Sequence, residues 1–346
     1  MSRGILTVDL DVFAANLHAA RTRIAPAELM FVVKDDAYAH GLPPLVTRAW
    51  AEGVRWFGAL DVPTGRAVRA AIGAEARVFV WLAFGAQDLG DVVDFDFDLG
   101  VGDAALLEEI AARAGERPVR VHLKIDSGLH RNGVRPEEWG AFVTRAAELE
   151  SAGAIEVVGI WSHIAEASDE EDDAARAAFD RAVAEAEAAG LRPRLRHLAA
   201  SAASFERAEF RYDMCRIGAF CYGIRPAGGP GDDALGIRPI ATLSVPVVGV
   251  EPDAVVLGIG ALDGLPSTLA GRFTVATPEG ERRVLRIDDR QSRVEPWADA
   301  AAGEWVAVHG GNAHSSATDL AEQIGTIGEE IALRVSPTVR RVYVGG

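Results

Sequence analysis

The feature that most constrains this chain is an alternation. Over its first two-thirds, short β-like runs at 29–33, 56–60, 77–81, 94–99, 119–124, 155–161, 194–198 and 216–222 are separated by Ala-rich segments. The longer of those segments, near 43–52, 63–73, 103–114, 136–152 and 170–189, carry apolar residues at the three- and four-residue spacing of a helix, with shorter ones near 86–91 and 201–207. Strands that alternate with helices pair in parallel. Eight such units in about 200 residues predict a closed (β/α)8 TIM-type barrel of the α/β class rather than an open doubly wound sheet. A strand at Ile5–Leu10 and a helix from about 11 to 24 precede the first barrel strand. After Ile224 the texture changes. Pro226, Gly228, Gly229, Pro230 and Gly231 make a breaker-rich linker, and the β-like runs beyond it, among them ATLSVPVVGV, RFTVAT and RRVLRI, come with little helix. The sequence therefore divides into a barrel over 1–228 and a smaller C-terminal all-β domain over 229–346.

Charge and composition narrow the function classes. A formal net charge of −16 argues against a protein that coats nucleic acid or an anionic membrane. No apolar run reaches the roughly 20 residues of a membrane span, and no signal-peptide pattern opens the chain. Two cysteines, Cys215 and Cys221, make no disulfide framework, so a cytoplasmic location is expected. No sequence pattern calls for a metal. Of the 35 basic residues only Lys34 and Lys124 are lysine. Arginine stays protonated, whereas a lysine amine can act as a nucleophile, so each surviving lysine is a candidate for chemistry that arginine cannot do.

In a β/α barrel, reacting groups gather at the C-terminal ends of the strands, with phosphate sites near strands 7 and 8. The unusual residues fall there. Lys34 ends the first strand in FVVKDDAYAHG, and Lys124 ends the fifth in HLKIDSGLHRNGV, followed by Arg131. His163 ends the sixth in GIWSHIAEAS; His197 and Ser201 end the seventh in RHLAASAAS; Arg216 and Gly218 lie on the eighth in YDMCRIGAFCYGI.

These motifs resemble the alanine racemases, pyridoxal-phosphate enzymes that join an α/β barrel to a C-terminal β domain. FVVKDDAYAHG is similar to the family's A-V-V-K-A-D-A-Y-G-H-G, KIDSGLHRNG to K-x-D-T-G-M-x-R-x-G, HLAASAA to H-x-A-N-S-A-A, and DMCRIGAFCYG to D-M-V-R-P-G-I-x-L-Y-G. GTIGEEIALRVSPTVRRVY resembles the family's closing segment, so the likeness runs over the whole chain. The resemblance implies pyridoxal 5'-phosphate bound covalently through Lys34, which then acts as a base on one face of the substrate α-carbon. It assigns Tyr38, Tyr343, Ser201 and the amides of Gly218 and Ala219 to the cofactor phosphate, and Arg216 to the pyridine nitrogen with His163 and His197 supporting it. Arg131 and Asp289 fall at substrate-carboxylate positions. Lys124 stands where many members carry a carbamylated lysine; a plain salt bridge to Asp126 is the other reading. A homodimer with shared active sites and a small amino-acid substrate are also implied.

One segment departs from the pattern. The family's second base is a tyrosine in P-I-G-Y-A-D-G-Y-P-R, and the corresponding GIGALDGLPST places Ala261 there and Leu265 at a second aromatic position. The following segment, IDDRQSR, puts Asp289 and Arg290 at the family's methionine and aspartate positions. The chain has four tyrosines, and Tyr38, Tyr212, Tyr222 and Tyr343 all lie outside this segment. Asp263, Asp289, His309, His314 or a water in the space left by Ala261 are the remaining candidates for a second acid or base. Three readings stand: an amino-acid racemase of reduced or altered activity, a pyridoxal-phosphate enzyme with one-base chemistry such as decarboxylation, transamination or one-face proton exchange, and a non-catalytic cofactor-binding protein.

Overall fold

A computed structural model of the chain describes residues 4–346. They form two compact units interleaved along the sequence. One is built from residues 20–34 and 49–218, the other from the residues up to 19 with 35–48 and 219–346.

The first unit is the expected parallel barrel. Its strands are Glu28–Val32, Trp56–Asp61, Arg77–Leu82, Asp98–Val101, Val119–Lys124, Ile155–Trp161, Leu195–His197 and Met214–Ile217, each paired with the next in sequence as far as the seventh, and the first with the eighth. The ring closes between the seventh and eighth through Asp213 N–H to the Arg196 carbonyl at 3.1 Å and Arg216 N–H to the Ala199 carbonyl at 3.2 Å. Side-chain caps start the helices at the intended places. Asp61, Asp103 and Ser168 accept from the amides of Thr64, Leu106 and Glu171 and so satisfy donors that a helix start leaves orphaned. The acidic run at 169–173 opens the helix Asp169–Ala188, where negative charge suits the dipole.

Two strand boundaries differ from expectation. The period-2 run DFDFDL reads as a strand from 94, yet the preceding helix continues to Asp94, Asp96 turns left-handed at φ 55°, and the strand begins only at Asp98. Arg69 donates to the Phe95 and Asp96 carbonyls at 3.0 and 3.2 Å, so a contact from another element fixes the turn. The eighth strand stops at Ile217, and residues 219–222 coil into a 3-10 turn.

Inside the barrel, Met30, Trp56, Phe79, Trp161 and Met214 pack as one cluster. Gly159 makes room beside them: a Cβ there would lie 2.6 Å from Nδ1 of His122.

The second unit is a mostly antiparallel sheet. Ala241–Glu251 pairs along its length with both Ala254–Leu257 and Trp305–Gly310, which closes a six-stranded barrel through Ser292–Val294, Gly280–Ile287 and Thr274–Thr277. The N-terminal strand Ile5–Asp9 belongs here. It pairs antiparallel with Ala241–Glu251 and parallel with the last strand, Arg340–Val344, setting Tyr343 opposite Val8. Two helices, Ala317–Ile324 and Gly328–Arg334, interrupt the β texture. The first was legible: Ser316 and Asp319 form a reciprocal cap, and Gly325 ends the helix at φ 71°.

Candidate active site

Five barrel strands bring their flagged residues to their C-terminal ends. Val33 donates its N–H to the Gly58 carbonyl at 2.9 Å, which fixes the backbone just before half-buried Lys34. Lys124 is 6 % exposed, its Nζ lies 4.3 Å over the Trp161 ring, and no carboxylate pairs with it. Burial, then Arg216 and Arg131, push this amine down to about 8. The salt bridge to Asp126 that the sequence left open is not made. Asp126 instead accepts from the amides of Gly128 and His130 at 3.1 and 3.0 Å, holding the loop that carries exposed Arg131.

Arg216 is the most enclosed cation of the site, 4 % exposed. One terminal nitrogen, Nη1, donates to the His197 carbonyl at 2.9 Å and faces His197 Nδ1 at 3.1 Å. The other, Nη2, meets the Ser162 and Leu198 carbonyls at 2.8 and 2.9 Å and His163 Nδ1 at 3.1 Å. Its Nε–H takes part in none of these bonds. Burial brings the guanidinium down to about 10, so it remains charged at neutral pH. His163 shows the field of the mouth: burial, then Arg216, Arg131, Lys124 and Lys34, push its ring down to about 3. Ser201 Oγ accepts from Gly218 N–H at 3.3 Å and ties the seventh strand end to the eighth. A mouth whose four cations, Lys34, Lys124, Arg131 and Arg216, all act on His163 fits a polyanionic cofactor.

In the second unit, the segment after Lys34 is unusual. Asp35, Asp36, Ala37, Tyr38 and Ala39 are all left-handed, with φ between 53° and 62°. Such a conformation costs about 1–2 kcal/mol per residue for L-amino acids, less for aspartate. Local bonds hold it: Ala39 N–H to the Asp35 carbonyl at 2.8 Å, Gly41 N–H to that of Asp36 at 3.0 Å, and Leu42 N–H to Asp36 Oδ1 at 2.8 Å. Arg341 Nε adds a bond to the Ala39 carbonyl at 3.1 Å, and the Tyr343 hydroxyl donates to the His40 carbonyl at 3.0 Å. Tyr38 is buried against Tyr222, ring centroids 4.6 Å apart, and burial raises its hydroxyl, which stays protonated. Backbone strain of this kind persists where the surroundings over-determine it, commonly at functional sites.

Ala261 is exposed and opens a short 3-10 turn pinned to 288–289, with its N–H on the Asp288 carbonyl and that of Leu262 on the Asp289 carbonyl, both at 2.8 Å. The segments around Ala261 and Asp289 are thus neighbours. Leu265 is buried, whereas Ala261, Leu262, Thr268 and Arg334 line a groove of about 600 Å³. Among the second-base candidates, Asp263 is buried and accepts from Gly260 N–H at 3.1 Å, His309 is buried and pushed down to about 4, and His314 pairs with Glu281 at 2.9 Å. Asp289 is exposed beside Ala261. No metal-binding cluster and no helix long and apolar enough to cross a membrane occur among the described residues.

Sequence reasoning missed Asp98 and His122. Both are fully buried inside the barrel; His122 adjoins His197, and Asp98 adjoins His122.

The family described as "Alanine racemase, N-terminal domain" matches residues 8–226. The alanine racemase of Thermobifida fusca is 33 % identical over 373 residues, covering 98 % of this chain and 97 % of its own, and that of Salinispora arenicola is 35 % identical over 368 residues with 98 and 97 % covered. The alanine racemase from D-cycloserine producing Streptomyces lavendulae superposes with a TM-score of 0.94 at 32 % identity, over 100 % of this chain and 98 % of its own. That from Streptomyces coelicolor gives 0.95 at 31 % over 99 and 98 %. The likeness covers nearly the whole length of the chain and of these relatives, in sequence and in fold, and the chain belongs to the alanine racemase family.

Proposed function

We propose that this chain is a pyridoxal-phosphate-dependent amino-acid isomerase in which proton transfer on one face of the substrate is carried by Lys34 and the usual tyrosine of the other face is absent. The observation that carries the cofactor assignment is the barrel mouth, where Arg216, Arg131, Lys124 and Lys34 act together on His163 and carbonyls hold both terminal nitrogens of Arg216.

Bound through a lysine amine, pyridoxal phosphate draws electrons from the substrate α-carbon and loosens its proton. The chain's own groups do the rest. Lys34 takes and returns that proton. Arg216, a cation held by carbonyls, would face the pyridine nitrogen of such a cofactor and, as a poor acid, would leave it unprotonated. Ser201, Tyr38, Tyr343 and the amides of Gly218 and Ala219 are assigned to the phosphate. Arg131 and the Asp289 segment are assigned to the substrate carboxylate. Lys124, with its amine lowered to about 8, has an uncharged fraction that can add carbon dioxide: an N–C bond forms, a proton leaves, and the cation becomes an anion able to hold Arg131. Homodimerisation and a cytoplasmic setting complete the reading by family likeness.

The missing hydroxyl at Ala261 favours a second reading, one-base chemistry without inversion. Incubating single enantiomers in deuterated water separates the two. Deuterium gained with inversion supports racemisation; exchange with retained configuration supports one-base chemistry. No exchange across a panel of amino acids would overturn both and leave cofactor binding alone.

A further inference from the structure

A line of buried polar side chains crosses the barrel interior. Asp98, His122, His197 and Arg216 are respectively 0, 0, 0 and 4 % exposed. Asp98 Oδ1 lies 3.4 Å from His122 Nε2, His122 Nδ1 lies 2.8 Å from His197 Nε2, and His197 Nδ1 lies 3.1 Å from Arg216 Nη1. Asp98 is also held by Arg77 and Arg120, with Arg77 Nε to Oδ2 at 3.0 Å.

Donor and acceptor chemistry settles the direction of every bond. Guanidinium has no acceptor, so His197 Nδ1 must accept and its proton must sit on Nε2. That proton can go only to His122 Nδ1, whose own proton then sits on Nε2 and points at Asp98, which accepts. The other tautomers would set donor against donor in a buried space. Burial holds both rings neutral.

We propose that Asp98 and His122 are positioning residues for Arg216, locking both imidazoles in the Nε2–H form so that one hydrogen-bond chain runs from the Arg216 guanidinium to the Asp98 carboxylate and fixes the orientation of Nε–H. The groups facing this chain are Arg77 and Arg120 at its acidic end, and His163, Lys124 and Arg131 at its basic end. The functional consequence rests on the proposed cofactor role of Arg216; the tautomers do not.

The test has two arms. In cofactor-free protein labelled with ¹⁵N-histidine, His122 and His197 are expected as neutral Nε2–H rings across about pH 6–9. A charged ring or an Nδ1–H form at His197 would overturn the proposal whatever the enzyme does. In His122→Leu the Arg216 guanidinium still donates to His197 Nδ1, so His197 is expected to stay in the Nε2–H form while its Nε2 signal shifts, because that proton has lost its acceptor. In that variant loaded with cofactor, the pH midpoint of the visible absorbance moves, and kcat falls about tenfold while KM stays within about twofold. Asp98→Asn keeps an acceptor for His122 and is expected to preserve the tautomers with a smaller kcat loss. If His122→Leu does not fold, the wild-type tautomers and Asp98→Asn decide. Unchanged His197 signals, absorbance and kcat in a folded His122→Leu would refute the positioning role.

Discussion

The left-handed segment after Lys34 is held in place by a close approach that can be tested as a pair. Gly41 has φ 94°, and a Cβ at that position would lie 1.9 Å from the Tyr343 hydroxyl and 3.1 Å from its Cζ. Gly41→Ala therefore adds two costs. An L-residue forced into this region costs about 1–2 kcal/mol, and overpacking a well-filled contact costs about 1–3 kcal/mol. Pushing Tyr343 aside also breaks its bond to the His40 carbonyl, worth about 1 kcal/mol. The single variant should lose about 3–6 kcal/mol. Tyr343→Phe alone should lose about 1 kcal/mol, since it removes that bond and nothing else. In the Phe background the nearest atom is the ring edge, so Gly41→Ala should then cost only its backbone term of about 1–2 kcal/mol. The double-mutant cycle predicts a coupling of about 2–4 kcal/mol, well above the few tenths expected of independent sites. Urea unfolding of the four proteins at matched slopes measures it. Additive losses would show that the turn is not braced by Tyr343. The same reasoning makes Gly41→Ala a cofactor-retention variant: displacing Tyr343 should weaken cofactor binding more than Tyr343→Phe does, read by the visible absorbance.

Three further perturbations bear on charge and chemistry. His40 and His309 are buried and pushed down to about 4, whereas an imidazole in an unfolded chain titrates near 6.5. The unfolded state therefore binds more protons below 6.5, so their contribution to stability is complete above that pH and is lost as pH falls toward 4. Each ring should steepen the loss by up to about 1.4 kcal/mol per pH unit, and a urea midpoint that does not move between about pH 7 and pH 5 would contradict this. Lys124→Arg keeps the cation but cannot add carbon dioxide. Native mass spectra in bicarbonate should show an adduct of one carbon dioxide in the parent and none in the variant, with kcat/KM down about tenfold; an adduct surviving the substitution would place it elsewhere. Ala261→Tyr supplies a proton-transferring hydroxyl and, on the proposed reading, should raise interconversion of enantiomers by about 10²-fold or more, the usual worth of a general acid–base group. No gain in a variant that still binds cofactor would mean that Ala261 does not limit the reaction.

What the sequence showed of this fold depended on whether a feature is local. Strand parity and helical period are local, and all eight barrel strands stand where those patterns place them or within a few residues. The run from Asp94 to Leu99 misleads because its alternation belongs partly to a turn that Arg69 clamps from a different helix. The left-handed stretch is invisible for a related reason. Asp35 and Asp36 tolerate that conformation, but for Ala37, Tyr38 and Ala39 the local bonds are reinforced by Arg341 and Tyr343, which reach the carbonyls of Ala39 and His40 from 302 and 303 positions away.

The candidate site divides along the same line. Lys34, Lys124, Arg131, His163, His197 and Arg216 could be singled out as candidates because chemistry-bearing residues at or just after strand ends stand out against an apolar run. Asp98 and His122 were not, although a signal existed. In VRVHLK, residues two apart share a face of the strand, so a lysine singled out at 124 already aims Arg120 and His122 the same way. Asp98 and Gly100 share that relation on the neighbouring strand, with Gly100 opposite His122. A buried carboxylate demands partners of this kind, since an unpaired charge there would cost several kcal/mol. Parity carried inward from each strand end, rather than the strand ends alone, would have traced the line from Arg216 to Asp98, and in a parallel barrel any reacting residue at a strand mouth identifies by that rule the side chains beneath it.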